Sequence, residues 1–442
     1  PARGEGRATG DAAALRLAAP KSGGMLFIDS LVDAEAWLNG GATEPATVQG
    51  LDLLSLDGAF GAVSLRGCTF LGCTIGDTLA AKIRADGAGI VSELSVLPSS
   101  LPAFAPGIYT VGDLYKGISE DGSGWEGTPD HAGFVFFNEK KNVPRRLQPA
   151  ESIAARLHDT VQEQAVQTFL KDRNVVAIMG GHDFKRQLTK DEASAGKADV
   201  YWECVAIAKT LTEKGFLILT GGGPGLMEAG NLGALLAGAD EKLMGEVRTL
   251  LTNQLFESKE WRGTAMAARK LIVGSWDREP PAEKASLGIP TWFYGHEPPN
   301  FFASHHSKMF FNSLREVGLV TLANKGIIFF EGNGGTVQEI FQDAAQNYYV
   351  GEGHSPTPMI FYNAGGYWER PCGDLSRPTD APMDKRKPLM PLLKQLAIEK
   401  KFMNAVFVTR SPEATVKFLV DANASAKVRK ADVRLGNTIA SH

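Results

Sequence analysis

The chain has 442 residues, of which 43% are hydrophobic and 22% charged, which is typical of a soluble globular protein of two or three domains. Its formal net charge of −4 gives no reason to expect nucleic acid or an acidic membrane as a partner, and no apolar run approaches the roughly 18 residues of a membrane span. Four scattered cysteines are too few for a disulfide scaffold, and as free thiols they fit a reducing compartment.

The two ends of the chain are expected to lack a fold of their own. Residues 1–23 are rich in Ala, Gly and Arg, have no apolar signal core, and begin with Pro1 rather than Met, which indicates processing or truncation. Two interpretations stay open for this segment: a disordered tail, or the remnant of an organellar transit peptide. We therefore expect a cytoplasmic protein, or one of an organelle lumen or matrix. The polar residues 424–442 are predicted to form a flexible C-terminal tail.

Residues 24–138 show a short, β-leaning pattern that we interpret as a small N-terminal α/β domain. Leu65, Phe70 and Ile75 recur every five residues, as in a pentapeptide coil, but about two turns cannot make a stable solenoid. The charged segment 139–152 is predicted to link this domain to the next. Nothing in the N-terminal domain indicates its function.

From residue 153 to 423, short apolar runs alternate with helical patterns. The predicted strands are residues 175–179, 216–219, 289–294, 326–330, 358–362 and 405–408. Residues 240–275 are predicted to be mainly helical. This alternation predicts an α/β fold with a doubly wound parallel sheet, in which ligands bind at the carboxyl ends of the strands.

Three glycine turns follow predicted strands and fall at that edge. They supply the candidate phosphate- and nucleotide-binding residues Gly180, Gly181, Gly221, Gly222, Gly223, Gly225, Gly334, Gly335 and Thr336. Open backbone amides and a helix N-terminus together form an anion site. Glu339 lies one helical turn beyond Thr336, so its carboxylate is expected beside the bound anion, as a ribose 5-phosphate requires. The alternatives are that Glu339 only complements the helix dipole and that the glycine turns are structural.

Two further residues near these turns have open interpretations. Glu228 follows the second glycine turn, where it orients a ligand or is simply an acid in the first turn of a helix. His182 follows the first turn as a loop residue or a ligand contact.

Residues 304–317 are predicted to be helical, with one polar stripe. The stripe comprises His305, Lys308, Asn312 and Arg315. It forms either solvated surface or a wall of the cleft. Arg315 is the preferred functional member, because a guanidinium pairs with phosphate or with a catalytic carboxylate.

We expect no metal and no cofactor. Adjacent His305 and His306 point to different sides of a helix, and no carboxylate completes a set with His296. The chain also lacks the six-residue dinucleotide glycine fingerprint, which leaves hydride-transfer chemistry with little support.

Two motifs carry a family resemblance. Residues 331–339 (Glu-Gly-Asn-Gly-Gly-Thr-Val-Gln-Glu) resemble the Pro-Gly-Gly-X-Gly-Thr-X-X-Glu loop of the LOG ("Lonely guy") phosphoribohydrolases. Residues 223–229 (Gly-Pro-Gly-Leu-Met-Glu-Ala) are similar to an element of the related pyrimidine/purine nucleotide nucleosidases. The resemblance covers roughly residues 170–420.

This resemblance implies a Rossmann-like fold and at least a homodimer. It also implies metal-independent hydrolysis of the N-glycosidic bond of a nucleoside 5′-monophosphate, such as AMP, to free base and ribose 5-phosphate. Glu339 and Arg315 would be the catalytic residues, and the glycine turns would anchor the 5′-phosphate. Trp292, Phe293 and Tyr294 are candidates for packing against the base, whose identity the sequence does not indicate.

The sequence also departs from the family pattern. Glu331 and Asn333 replace a proline and a glycine, and Glu316 stands where a basic residue usually follows the family arginine. An acid facing the phosphate loop would weaken anion binding. A second hypothesis is therefore a non-catalytic nucleotide- or cofactor-binding carrier on the same fold, as in molybdenum-cofactor carrier proteins. A third is a regulatory protein whose N-terminal domain senses a nucleotide.

Overall fold

A computed structural model describes residues 26–92, 95–104, 107–138, 147–293, 297–351, 354–369 and 386–425. The chain divides into two compact units, residues 1–93 and residues 94–442. The tail predicted for residues 1–23 lies outside the described residues, as do residues 139–146 of the predicted linker and 426–442 of the C-terminal tail.

Eleven strands are described, all short. They are β1 (Leu26–Ile28), β2 (Ala46–Gln49), β3 (Thr69–Leu71), β4 (Gly89–Val91), β5 (Asn174–Met179), β6 (Phe216–Thr220), β7 (Ser286–Gly288), β8 (His305–His306), β9 (Ile327–Phe329), β10 (Met359–Tyr362) and β11 (Val406–Thr409).

Helices follow most of these strands. They are α1 (Leu31–Asn39), α2 (Asp77–Asp86), α3 (Val111–Leu114), α4 (Pro129–Asn138), α5 (Pro149–Leu170), α6 (Lys190–Ser194), α7 (Val200–Glu213), α8 (Leu226–Leu235), α9 (Glu241–Leu250), α10 (Lys259–Val273), α11 (Asn312–Leu322), α12 (Gly334–Tyr348), α13 (Met390–Glu399) and α14 (Pro412–Ser425). Among the described residues, no helix is both long enough and apolar enough to span a membrane.

The first unit is a four-stranded parallel sheet with strand order β1-β2-β3-β4. Val48 pairs with Ile28 on one side and Phe70 on the other, so one face of the sheet presents a continuous apolar row. Phe60 packs against the ring of Phe70 at 5.9 Å and that of Trp37 at 6.5 Å, which builds the core above this row. The prediction of a small N-terminal α/β domain is confirmed for residues 26–92.

The C-terminal boundary predicted for this domain, residue 138, is wrong. Residues 95–138 belong to the second unit, because their apolar and polar side chains are buried in its core. The backbone of Tyr109 pairs with that of His306, the Tyr115 hydroxyl donates to the Pro299 carbonyl at 2.8 Å, and the Trp292 indole donates to the Asp130 carbonyl at 3.1 Å. These partners are about 160–200 residues apart in sequence, so no local pattern indicates them.

The second unit contains a seven-stranded sheet with strand order β11-β10-β9-β5-β6-β7-β8, and every pair is parallel. From β5 the chain builds outward through β6, β7 and β8, and it then returns to the other side of β5 to add β9, β10 and β11. Alternate residues of β5 enter two separate apolar clusters, which shows that both faces of the sheet are covered. The predicted Rossmann-like, doubly wound α/β fold is confirmed, with its topological switch point between β5 and β9.

Most of the predicted elements are found. Strands overlap five of the six predicted segments, and α9 and α10 lie within residues 240–275. The strand predicted for residues 289–294 is wrong, because pairing with β6 ends at Gly288 before Pro290. The helix predicted for residues 304–317 begins only at Asn312, because His305 and His306 form β8.

Candidate active site

A cavity of about 780 Å³ opens at the carboxyl ends of β5, β6 and β9, beside the switch point. We call it the switch-point cavity. It is lined by Met179, Gly180, Gly181, His182, Gly221, Pro224, Met227, Phe256, Glu297, Arg315, Glu316, Asn333, Gly334, Gly335, Thr336, Gln338 and Glu339. Both predicted catalytic residues and all three glycine turns therefore contribute to one cavity.

The N-terminus of α12 faces this cavity. No side chain caps the helix at Asn333, so its first amides are left for solvent or a ligand. A Cβ atom added at Gly334 or Gly335 would meet nothing within 4 Å, so open space lies over both residues. Thr336 is largely buried beside them and also lines the cavity. Free amides and the positive end of the helix dipole favour an anion here.

Glu339 and Arg315 form a buried pair next to this helix start. Arg315 Nη1 lies 3.4 Å from Glu339 Oε1, and Arg315 Nη2 lies 3.7 Å from Glu297 Oε2. The Arg315 Nε atom is buried without a hydrogen-bond partner among the described residues. The two glutamates therefore do not satisfy every donor of the guanidinium, and the unpaired Nε lies beneath the cavity surface.

Burial raises the pKa of Glu339 to about 7. Arg315 opposes the shift, because its positive charge stabilises the carboxylate, whereas the negative charges of Glu316 and Glu297 add to the shift. A carboxyl with a pKa near neutrality, in a cleft beside a fixed cation, is characteristic of catalytic sites.

Glu316 lines the cavity, but its carboxylate is held within the wall. It accepts hydrogen bonds from the side-chain amides of Asn312 and Gln338. Glu316 therefore connects α11 to α12 and fixes the position of Arg315 relative to Glu339.

The three glycine turns have different roles. Gly181 donates its amide to the Glu331 carbonyl at 2.9 Å, which joins the first and third turns across the switch point. Gly225 has a φ of +68°, and a Cβ atom there would lie 2.6 Å from the Gly181 carbonyl oxygen. Gly222 has a φ of +76° and packs equally closely against Pro290. Only glycine fits at these two positions.

The second glycine turn contributes less to the cavity surface than predicted. Gly221 lines the cavity, whereas Gly222, Gly223 and Gly225 do not. A Cβ atom at Gly223 would meet the Met227 and Glu297 side chains at 2.9 and 3.0 Å. The glycines allow close backbone packing beneath the cavity, and they do not themselves form its surface.

Glu228 also lies outside the cavity, contrary to the prediction that it binds a nucleotide. Its two oxygens accept from Arg186 at 2.7 and 3.0 Å, and Oε1 also accepts from the Tyr201 hydroxyl at 2.6 Å. These three hydrogen bonds hold the Glu228 carboxylate away from the cavity, so Glu228 anchors the start of α8. Arg186 was not singled out from the sequence, because nothing in its local pattern indicates a buried partner.

The polar stripe predicted for residues 304–317 is not a single surface. Lys308 is buried with its ammonium 2.6 Å from Asp130 Oδ1, and His305 contacts Ser304 at 2.9 Å. Both precede α11 and lie outside the cavity, since the predicted helical spacing does not hold there. Of the stripe only Arg315 lines the cavity.

Two of the three aromatic residues proposed to pack on a base, Trp292 and Phe293, do not line the cavity. Trp292 is fully buried against Phe310, with ring centroids 4.6 Å apart, and Phe293 packs on the same core. Tyr294 lies outside the described residues, as does His296. The apolar wall of the cavity consists of Phe256, Met227 and Pro224 instead. Phe256 follows α9 in a polar stretch, so no periodic signal indicates it.

Glu331 points away from the switch-point cavity and lines a neighbouring one. Gly332, which follows it, accepts a hydrogen bond from the Tyr367 hydroxyl at 2.6 Å, and a Cβ atom there would lie 2.2 Å from Thr336 Oγ1. The acid that replaces the family proline therefore does not face the start of α12.

Comparison with solved structures finds 37 similar chains, one of which is described below. No protein-family model matches the chain, and no curated protein matches it. A molybdenum cofactor binding protein from the phototrophic bacterium Rippkaea orientalis aligns with 58% of this chain and 99% of its own, at 16% identity and a TM-score of 0.28. A likeness at that level carries no argument about function.

Proposed function

We propose that the switch-point cavity binds a nucleoside 5′-monophosphate and hydrolyses its N-glycosidic bond, which yields free base and ribose 5-phosphate. The observation that carries this proposal is the buried Arg315–Glu339 pair, one helical turn from the uncapped start of α12. An anion site and a catalytic carboxyl at that separation match the two ends of a ribose 5-phosphate.

Phosphate binding is assigned to the backbone. The amides at Gly334, Gly335 and Thr336 face the cavity, and each residue along the helix advances about 1.5 Å, so Glu339 lies on the order of 6 Å from the phosphate along the axis. The ribose ring spans that distance. Phosphate binding thus supplies the energy that aligns C1′ with the carboxylate.

In the reaction, water attacks C1′ as the bond to the base nitrogen breaks. Positive charge develops on the sugar, and the ionised Glu339 stabilises it from a site where solvent no longer screens the interaction. Glu339 also accepts a proton from the attacking water, while the base leaves with a proton on its nitrogen. Over the whole reaction, one water molecule supplies the hydroxyl group on C1′ and the proton on the base.

Arg315 is assigned two roles in this scheme. It holds the Glu339 carboxylate in place and keeps its pKa from rising further, because its charge opposes the effect of burial. Arg315 also lines the cavity, so its positive charge attracts the anionic group of the ligand. Phe256 and Met227 then offer an apolar surface for the base on the same side of the cavity.

A second candidate is the non-catalytic carrier. The observation that favours it is the charge of the lining, in which Glu297, Glu316 and Glu339 outnumber Arg315. A phosphate dianion then depends on backbone amides for most of its attraction. Tight binding without turnover would be the result expected of a carrier.

The test is base release from AMP, GMP, IMP, CMP and UMP, incubated separately without added metal and followed by chromatography. Wild-type protein should release base from at least one substrate, and Glu339→Gln should not, although its fold and shape are retained. A nucleotide that raises the melting temperature of the wild-type protein without base release would favour the carrier and reject the hydrolase.

A further inference from the structure

A second cavity of about 520 Å³ lies on the other side of the loop that carries Glu331. We call it the flanking cavity. It is open at the carboxyl end of β10, near Ala364 and Gly365, and it shares Gly181 and Asn333 with the switch-point cavity. The start of α12 therefore lies between the two cavities, which meet at Asn333, the residue that immediately precedes the helix.

The flanking cavity has aromatic walls, and Glu331 is one of the carboxyl groups that line it. Phe184, Tyr201 and Tyr367 contribute to its walls, and Glu331 is half-buried. Burial raises the pKa of Glu331, while Lys197 and a hydrogen bond from the Gly365 amide oppose that shift. The Tyr367 hydroxyl donates to the Gly332 carbonyl, which fixes the loop that carries Glu331.

The size of each cavity bears on the ligand. Cavities of about 300–1,000 Å³ hold one drug-sized molecule, so the switch-point cavity alone accommodates a nucleoside monophosphate. The flanking cavity is then left as a space of similar size for another organic group. Because both cavities meet at Asn333, a single ligand with a central anionic group at the start of α12 can enter both.

Charge limits what the second group can be. The acidic residues Asp183, Glu192, Asp199 and Glu331 outnumber the basic Lys185 and Lys197 in the lining, so the flanking cavity offers no excess of positive charge for further phosphates. A carboxylate beside aromatic rings instead suits a nucleoside, whose sugar hydroxyls donate to the acid while the base packs on the rings.

We propose that the flanking cavity holds the second nucleoside of a pyrophosphate-linked dinucleotide, with Glu331 accepting hydrogen bonds from its ribose hydroxyls. This inference rests on the proposed function, because it takes the first nucleoside to lie beside Glu339. The pyrophosphate crosses the loop at Asn333 and the start of α12.

The reaction on such a substrate is the same hydrolysis. Water adds its hydroxyl to C1′ of the ribose beside Glu339, the bond from C1′ to the base breaks, and the base leaves with a proton. The pyrophosphate and the second N-glycosidic bond stay intact. The products are one free base and a nucleoside diphosphate linked to ribose.

The test compares AMP, ADP and diadenosine diphosphate, and separately the matching guanosine series, by calorimetric affinity and by base release. ADP carries the diphosphate without the second nucleoside, so it isolates the contribution of the flanking cavity. Wild-type protein should bind the dinucleotide at least tenfold more tightly than ADP, as expected for hydrogen bonds to a charged group plus stacking.

Glu331→Gln should reduce this dinucleotide-to-ADP ratio by roughly tenfold. Glu283→Gln, an exposed acid that lines neither cavity, should keep the wild-type ratio. Ala364→Phe, which fills the flanking cavity, gives a second test should Glu331→Gln fail to fold, and it should also abolish the preference for the dinucleotide.

Equal affinity for ADP and the dinucleotide in both series would overturn the inference, and so would a preference that survives both Glu331→Gln and Ala364→Phe. Either result concerns only the flanking cavity. Release of base from the monophosphate would still support the proposed function. Binding of all three ligands without release of any base would instead reject the proposed function. The ratio of dinucleotide affinity to ADP affinity would still test whether the flanking cavity binds a second nucleoside.

Discussion

Arg315 lies between two glutamates of the switch-point cavity, with Nη1 3.4 Å from Glu339 Oε1 and Nη2 3.7 Å from Glu297 Oε2. Neither contact is a short bidentate pair, so neither glutamate neutralises the guanidinium fully. Glu339 is almost fully buried, and Arg315 is the only cation near it in the part of the chain that the structure describes, so burial dominates its titration. The following predictions depend on that balance.

The first prediction concerns pH. Only the ionised Glu339 can stabilise a cationic sugar, so kcat/KM for base release should rise with pH through a midpoint near 7. The substrate phosphate also titrates, near pH 6. Arg315→Met should shift the Glu339 midpoint to higher pH, because an opposing charge is lost, and leave the phosphate midpoint in place. A rate that is flat between pH 6 and 8 would contradict this assignment.

The second prediction concerns Arg315 itself. Arg315→Met should lower kcat/KM by at least tenfold at pH 8, because the transition state loses a preorganised positive charge. The substitution should have little effect on folding. Arg315→Lys keeps the charge but loses the planar fork and should show a smaller loss. Steady-state kinetics of both variants check this order. Equal kcat/KM values for wild type and Arg315→Met would show that Arg315 has no role in the reaction.

The third prediction concerns the stability cost of the buried acid. The folded-state pKa of Glu339 is raised, so its neutral form favours folding, and that contribution is lost as pH rises from about 4.5 toward 7. Glu339→Gln lacks this titration. Relative to the variant, wild-type protein should lose on the order of 2–3 kcal/mol of unfolding free energy between pH 4.5 and 8.

Denaturant unfolding at the two pH values measures that difference, and Glu283→Gln serves as an exposed control. Parallel pH dependence of stability in wild type and Glu339→Gln would show that Glu339 does not titrate abnormally.

The fourth prediction separates structural from functional acids. Glu228 is paired with buried Arg186, so Glu228→Ala leaves an uncompensated charge and should cost about 3–5 kcal/mol of unfolding free energy. Glu339→Ala should cost far less, because a raised-pKa acid is removed and Arg315 keeps Glu297. Denaturant titration of both variants tests the contrast. Comparable losses would mean that Glu339 is also structural.

The fifth prediction uses two glycines of one loop. Gly335→Ala adds a methyl group in open space and should keep the unfolding free energy within about 0.5 kcal/mol, since alanine is a better helix former. Gly332→Ala places its Cβ atom 2.2 Å from Thr336 Oγ1, so it must displace Thr336 from the anion site. The affinity of Gly332→Ala for inorganic phosphate should therefore fall further below the wild-type value than the affinity of Gly335→Ala. The reverse order would contradict the assigned anion site.

The main sheet was predictable because its central strands are buried on both faces. Residues 175–179 and 326–330 therefore appear in sequence as continuous apolar runs. The pair Glu339 and Arg315 was also predictable, since helix spacing and a family motif both indicate these residues. Local sequence carries these signals.

The rest of the site depends on contacts between distant segments. Asp159 accepts the amides of Phe310 and Phe311 at 3.0 and 2.8 Å, which sets where α11 begins although the residues are about 150 positions apart. Phe256 reaches the cavity from a polar loop, and Arg186 pairs with Glu228 across 42 positions. No periodicity or motif indicates such pairs.

A crystal structure with bound ribose 5-phosphate tests the central claim most directly. The account predicts the phosphate within hydrogen-bond distance of the Gly335 and Thr336 amides, and the C1′ end of the sugar beside the Glu339 carboxylate. Ribose 5-phosphate bound elsewhere, or bound with C1′ directed away from Glu339, would contradict the proposed hydrolysis.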